Sequence, residues 1–247
     1  PIYMPHVSEG ITDAANNEFA CLSGQPGNDL IAANTAVIHG IGVRPSDIQE
    51  MADVGAKLVW SPRSNVDLYG ITADVLAYHH QGVGIALGTD WSASGSMNVM
   101  RELACADYLN QNYLGEAFSD FELWMMSTYW AAASQGAGTQ IGLLAPGFIA
   151  DVAIFDGSEH PAYRAIIEGE PSDVQLVMRA GEPLFGQAPL VEGLVAAGDL
   201  GGCEELDVCG ESKRVCVQLD TGLTLAQIEG AVNPDAYDLF NCGEPEG

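Results

Sequence analysis

Basic residues are scarce in this chain. Eight lysines and arginines face 34 aspartates and glutamates among 247 residues, a formal charge of −26. Nucleic-acid binding needs clustered Lys and Arg to meet phosphates, so that class of partner is disfavoured. An anionic membrane surface is disfavoured for the same reason. Long apolar runs are missing too: nothing approaches the roughly 18 apolar residues of a membrane span. No CxxC pair occurs, which argues against a zinc knuckle. Histidine is rare, five in all. No signal peptide is visible, and the chain opens on PIYMPHVSEG without an initiator Met. That opening reads as the inside of a longer protein, with a removed leader still compatible.

What is present is enough for a sizeable core. The chain is 47% hydrophobic, room for one barrel-sized domain and some extras. The acidic excess favours solubility and attracts cations; a saline habitat would leave the same signature. Six cysteines are unevenly spread. Cys21 and Cys105 stand alone and read as buried thiols. Cys203, Cys209, Cys216 and Cys242 crowd an acidic tail with little apolar content. Two disulfides would order it, and four cysteines allow three pairings. Disulfides favour a periplasmic or secreted setting, with the cytoplasm as the alternative.

Along the chain, strand and helix patterns alternate up to about Gly136. NTAVIHGIGV reads as a strand over 35–41. RPSDIQEMADVG follows as a helix, with Ser46 as N-cap, Gln49 in the capping-box position and Gly55 as its stop. AKLVWSP is a strand broken by Pro62. DLYGITADVLAYHHQG is a helix closing near Gly82, and Val83–Leu87 is a buried strand. MNVMRELACADYLNQNYL and FSDFELWMMSTYWAAASQG give two longer helices, the second capped by Ser119. Such alternation means a parallel sheet, open or closed into a barrel. After Gly138 the pattern turns to short strands with Gly and Pro turns, GLLAPGFIADVAIFDG and DVQLVMRAGEPLFG. No internal repeat or low-complexity segment is present.

The chemistry-bearing residues fall at strand ends. His6, in MPHVSEG, has Glu9 three residues on; His39 ends VIHG; Asp90 follows the strand of VGIALGTDWSASGS. A buried strand seldom ends in a carboxylate without a partner. A cap or turn role accounts for any one of these residues. The set together points to one end of a barrel, where such folds place their chemistry. His and Asp suit zinc or iron, and a nearby Glu can carry protons to and from water. His79 and His80 read as surface residues in the last turn of a helix, and His160 as a turn residue. Arg63, in SPRSN, meets either an anionic or carbonyl group or an ordinary surface partner. Trp91 packs beneath a loop or stacks on a heterocycle.

The ordered set HVSEG, HG, SPRSN, GTDWSASGS and LAPGFIADVAIFD resembles the amidohydrolase superfamily, over roughly residues 1 to 185. The similar branch holds cytosine, guanine and adenosyl-homocysteine deaminases and triazine hydrolases. The resemblance implies an α/β fold: the C-terminal part of a distorted TIM-like (β/α)8 barrel, about strands five to eight. Part of a small β-sandwich and the Cys-containing tail would follow. The implied domains are residues 1–140, 141–190 and 191–247. It also implies one divalent metal ion, zinc or iron, with His6 and Asp90 as ligands. Glu9 would be the proton shuttle, His39 the partner of substrate or water, and Asp90 also the base. Arg63 and Trp91 would be weaker substrate contacts.

The family also opens with an H-x-H pair on its first strand, and no H-x-H occurs here. The expectation is half an active site, completed by a missing N-terminal half or a complementing chain, and inactive alone. The implied activity is hydrolysis of a non-peptide C–N bond, by a deaminase or amidohydrolase acting on an aminated heterocycle or amide. A homo-oligomer is compatible. The alternative is a non-catalytic fragment or paralogue serving as a binding or scaffold module.

Overall fold

The computed structural model describes residues 1–24, 29–91, 93–231, 240 and 242. The chain divides into two compact units, Pro1–Leu143 and Leu144–Gly247. Among the described residues, no helix is long and apolar enough to cross a membrane.

In the first unit strands and helices alternate. The order is β1 (His6–Val7), α1 (Asp13–Leu22), β2 (Ala36–His39), α2 (Pro45–Val54), β3 (Lys57–Trp60), α3 (Pro62–Tyr69) and α4 (Val75–His80). Then come β4 (Gly84–Leu87), α5 (Val99–Asn112), α6 (Asp120–Ser127) and α7 (Tyr129–Ser134). The strands pair in parallel in chain order, β1-β2-β3-β4. Parallel neighbours need a crossover, and each is supplied by helix. β4 is buried at all four positions, as expected of a short apolar run covered on both faces. Leu58, Trp60, Ile85 and Leu87 of the sheet are buried, as are Ile48, Met51, Leu103 and Leu123 of the helices. Because the strands are parallel, their carboxyl ends share one edge of the sheet.

Local chemistry moved several expected boundaries. α2 begins two residues earlier than the Ser46 cap implied: Arg44 is the N-cap, without a side-chain bond, and Pro45 occupies the first turn. Proline is pre-organised for that position, so it takes the start of the helix. Gly55 does close α2, at φ 76°. Pro62 ends β3 and also opens α3. The single helix expected to close at Gly82 is two: Gly70, at φ 69°, stops α3, and Asp74 restarts the chain by accepting from the Ala77 N–H. The long helix after Ser119 also breaks, at Thr128 (φ −122°, ψ −89°). Ser119 caps it as expected, in a reciprocal capping box with Glu122.

The second unit is built on an antiparallel sheet in the order β5-β6-β7-β9-β8. Its strands are β5 (Val152–Phe155), β6 (Val174–Arg179), β7 (Glu182–Gln187), β8 (Glu204–Val208) and β9 (Glu211–Val215). Short helices α8 (Arg164–Ile167), α9 (Ala188–Leu194), α10 (Val217–Thr221) and α11 (Leu225–Ala231) lie between and after them. Two hairpins turn on two residues at positive φ, Ala180-Gly181 and Cys209-Gly210, the conformation that fits the twist of a hairpin. Two strands of the Cys-bearing tail thus belong to the same sheet as the strands before it. Lys213 of β9 is fully buried, and its ammonium donates to the carbonyls of Ser172 and Val174.

The tail cysteines pair as Cys203–Cys216 and Cys209–Cys242. The first bridge flanks the β8–β9 hairpin and joins a small core with Leu176 and Val191. Cys21 and Cys105 are free, but Cys21 is exposed and Cys105 half-buried, which corrects the expectation of two buried thiols. The short apolar surroundings of Cys21 in sequence do not cover it in space. Peptide mapping without reductant should recover these two bridges. Alkylation of the native protein should modify Cys21 well before Cys105. Burial first, then the charge of Glu102, pushes the Cys105 thiol up to about 11. Only about one Cys105 thiol in a thousand is then ionised at pH 8. Equal rates at the two thiols, or a different pairing, would count against this assignment.

Candidate active site

The site lies at the carboxyl edge of the parallel sheet. His6 and Val7 of β1 pair with Ile38 and His39 of β2. His39 is the last residue of β2, and Asp90 lies three residues beyond β4. Three turns at this edge carry a non-glycine residue in the left-handed region: Ser8 (φ 54°), His39 (φ 69°) and Asp90 (φ 54°). Each costs about 1–2 kcal/mol relative to ordinary backbone. Two of these residues, His39 and Asp90, belong to the cluster at this edge.

Hydrogen bonds from neighbouring helices hold those turns. Glu18 of α1 accepts the Ser8 N–H at 2.8 Å. The turn carrying Asp90 closes with Ser96 N–H donating to the Thr89 carbonyl at 2.9 Å. Gly95 is required there, because a Cβ would sit 2.0 Å from the Thr89 carbonyl oxygen.

All four strand-end residues read from the sequence come together. One ligand atom each from His6, His39 and Asp90 lies within 4.8 Å of the others. The rings of His6 and His39 are 5.2 Å apart. His39 Nε2 is 3.6 Å from Glu9 Oε2 and 3.9 Å from Asp90 Oδ2. His39 is buried, Asp90 and Glu9 are partly open, and His6 is exposed. His39 was expected to face substrate or water; its position puts it inside the group of possible metal ligands as well.

The remaining candidates have these partners. Arg63 is at the start of α3, where its backbone N–H donates to Glu102 Oε1 at 3.1 Å, and its charge lowers the pKa of that carboxyl. Trp91 is 62% exposed, with its indole N–H on Ser94 Oγ; it does not pack beneath the loop. His79 is half-buried, edge-on to Phe118 and 3.7 Å from Glu122, less open than expected. His160 pairs with Glu168 at 2.7 Å.

Three supporting residues escaped the sequence. Asn65 Oδ1 lies 3.0 Å from His39 Nδ1, where it accepts from the ring. Tyr69, one helical turn later on α3, donates its O–H to Glu9 Oε1 at 3.0 Å. Burial and that bond raise the Tyr69 pKa, which keeps the donor proton in place. Glu102 of α5 is fully buried and accepts from the Arg63 N–H and the Ser96 hydroxyl. It ties the start of α3 to the loop that carries Asp90. Asn65 and Tyr69 are spaced i, i+4, so they share a helix face, a signal visible inside SPRSNVDLY. Glu102, an acid amid the apolar residues of its helix, was the other available clue.

Residues 8–184 match the Amidohydrolase family, and the chain belongs to it. It is 33% identical over 130 residues to a 5-methylthioadenosine/S-adenosylhomocysteine deaminase of Teredinibacter turnerae, covering 51% of this chain and 29% of that protein. An aminodeoxyfutalosine deaminase of Deinococcus radiodurans is 41% identical over 81 residues, 32% of this chain and 19% of its own length. A crystal structure of an adenosine deaminase from Xanthomonas campestris with bound zinc has a TM-score of 0.65 at 22% identity, over 74% of this chain and 45% of that one. The last likeness is one of fold. The chain spans well under two thirds of the length of the relatives it matches.

Proposed function

We propose that this protein is a metal-dependent hydrolase acting on a non-peptide C–N bond, of deaminase type, with a small aminated heterocycle or amide as substrate. The convergence of His6, His39 and Asp90, with Glu9 beside them, carries the reading. The parallel sheet corresponds in this proposal to strands five to eight of a TIM-type barrel, residues 1–140. Residues 141–190 would belong to a small β-sandwich, and 191–247 to a cross-linked extension that adds two strands to the same sheet and suits an oxidising compartment.

The donor set fits a divalent cation. Imidazole and carboxylate donors suit zinc and also iron. His39 Nε2 is buried without a hydrogen-bond partner, as expected of an atom facing a ligand. His6 and Asp90 would hold the cation. When bound, the cation supplies Lewis acidity, which brings the pKa of water down toward about 7.

Asp90 accepts a proton as the water oxygen adds to the amidine-like carbon. His39 orients the water. Glu9, steadied by Tyr69, relays that proton on from Asp90 to the departing nitrogen, the C–N bond breaks, and ammonia or an amine leaves, which restores both carboxylates. Trp91, next to Asp90 and open to solvent, offers a ring face for a heterocycle; Arg63 is the weaker contact. The test is a panel of aminated heterocycles assayed for ammonia with zinc or iron added, and again after chelation, on this chain supplied with the segment that carries the H-x-H pair. Chelator-sensitive release from at least one compound is expected. No release from any, together with no zinc binding in titration calorimetry, would overturn the reading in favour of a non-catalytic module.

A further inference from the structure

We propose that Asn65 is a positioning residue that fixes the tautomer of His39, keeping the ring proton on Nδ1 so that Nε2 faces the cluster as a lone pair. The inference deepens the hydrolase reading and rests on it for its use, though not for its test. His39 and Asn65 are both buried, at 1% and 0% exposure. The Nδ1···Oδ1 distance of 3.0 Å is that of a hydrogen bond. An amide oxygen only accepts, so the imidazole nitrogen against it carries the hydrogen.

The amide is held from its other side. Asn65 Nδ2 lies 3.3 Å from Thr72 Oγ1. The same oxygen takes the indole N–H of Trp60 at 2.6 Å, and an indole N–H is a donor only. Thr72 Oγ1 accepts there and keeps a second lone pair, which takes the Asn65 NH2. That leaves Oδ1 for His39.

The far nitrogen agrees. His39 Nε2 is 3.6 and 3.9 Å from the nearest carboxylate oxygens, beyond hydrogen-bond reach, and has no partner. A hydrogen there would be a buried donor with no acceptor, which costs about 1–3 kcal/mol. A lone pair at the same place can accept from water or meet a cation. The bond made by one ring nitrogen decides what the other offers. In this arrangement His39 enters the chemistry as an acceptor, and Asn65, Thr72 and Trp60 are what make it one.

The experiment is long-range 1H–15N correlation spectroscopy on the 15N-labelled, metal-free protein at a pH where all five imidazoles are neutral. His39 is assigned by the signals that vanish in His39→Gln. The expected pattern has Nδ1 pyrrole-like and Nε2 pyridine-like, the reverse of the form free histidine prefers. In Asn65→Leu the two shifts should exchange. In Thr72→Val, which leaves Asn65 in place but releases its NH2, the pattern should become mixed. Asn65→Asp keeps an acceptor and should retain the parent pattern. A proton on Nε2 in the parent protein overturns the proposal, whatever the variants do. So does an unchanged pattern in Thr72→Val together with Asn65→Leu, or in Thr72→Val alone if Asn65→Leu does not fold. Absence of turnover on every substrate would sink the hydrolase reading and leave this test standing.

Discussion

Asp90→Asn should fold like the parent protein, lose at least about 100-fold in zinc affinity and, with the segment that carries the H-x-H pair supplied, lose about 1,000-fold in turnover. Asparagine has the same shape and tolerates the left-handed backbone that Asp90 adopts at φ 54°. The Ser96–Thr89 bond that closes its loop is made by backbone atoms and is untouched. What disappears is the negative charge, which the proposed mechanism uses both as a ligand and as a proton acceptor. Removing a proton-transfer group typically costs about 10²–10⁴-fold. In zinc-free protein the variant should be as stable as the parent or slightly more so, because Asp90 repels the Glu102 carboxylate. In saturating zinc a 100-fold weaker site forgoes about 2.7 kcal/mol of ligand-linked stability. Melting with and without zinc, set beside ammonia release, reads all three effects. Full turnover, or an unchanged zinc response, would remove Asp90 from the site chemistry.

Glu102→Gln should flatten the fall in stability that the parent shows between about pH 4.5 and pH 7. Burial is the main reason that the Glu102 carboxyl is pushed up to about 7 from an ordinary 4.5. The Ser96 hydroxyl, the Arg63 N–H and the Arg63 charge pull it down, and Asp90 adds a smaller push upward. Within that window the folded chain holds a proton that the unfolded chain has released. Stability therefore decreases as pH rises through the window and levels off above about pH 7. At about 1.4 kcal/mol per pH unit the full effect is on the order of 3 kcal/mol. Glutamine keeps an acceptor for the Arg63 N–H and carries no charge to desolvate, so its profile lacks this component. Urea midpoints of both proteins at pH 5, 6 and 8 make the comparison. Parallel profiles would mean that Glu102 ionises in the folded state as readily as in water.

Strand existence was legible because it depends on short-range pattern. The run Val83–Leu87 is apolar at every position, and β4 is buried at every position. Helix ends were legible where a single residue decides them, as with Gly55 and Ser119. They were missed where two signals compete. Pro45 and Ser46 both mark a helix start, and the proline won because its fixed φ already suits the first turn. The break at Thr128 has no glycine or proline to announce it.

By itself the sequence determined the alternation of strand and helix, the family to which the chain belongs, and the candidacy of His6, Glu9, His39 and Asp90. These follow from residue types at fixed positions relative to strand ends. Tertiary structure alone decided what those residues meet. His6 and Asp90 are 84 positions apart in the chain, and only parallel pairing at one sheet edge brings them into a single cluster. It also chose one of three cysteine pairings, put Cys21 at the surface, and set Asn65, Tyr69 and Glu102 behind the site. A hydrogen bond across 26 or 60 positions leaves no periodic trace in sequence. It exists because backbone pairing and burial place donor beside acceptor away from water, where neither can go unpaired without cost.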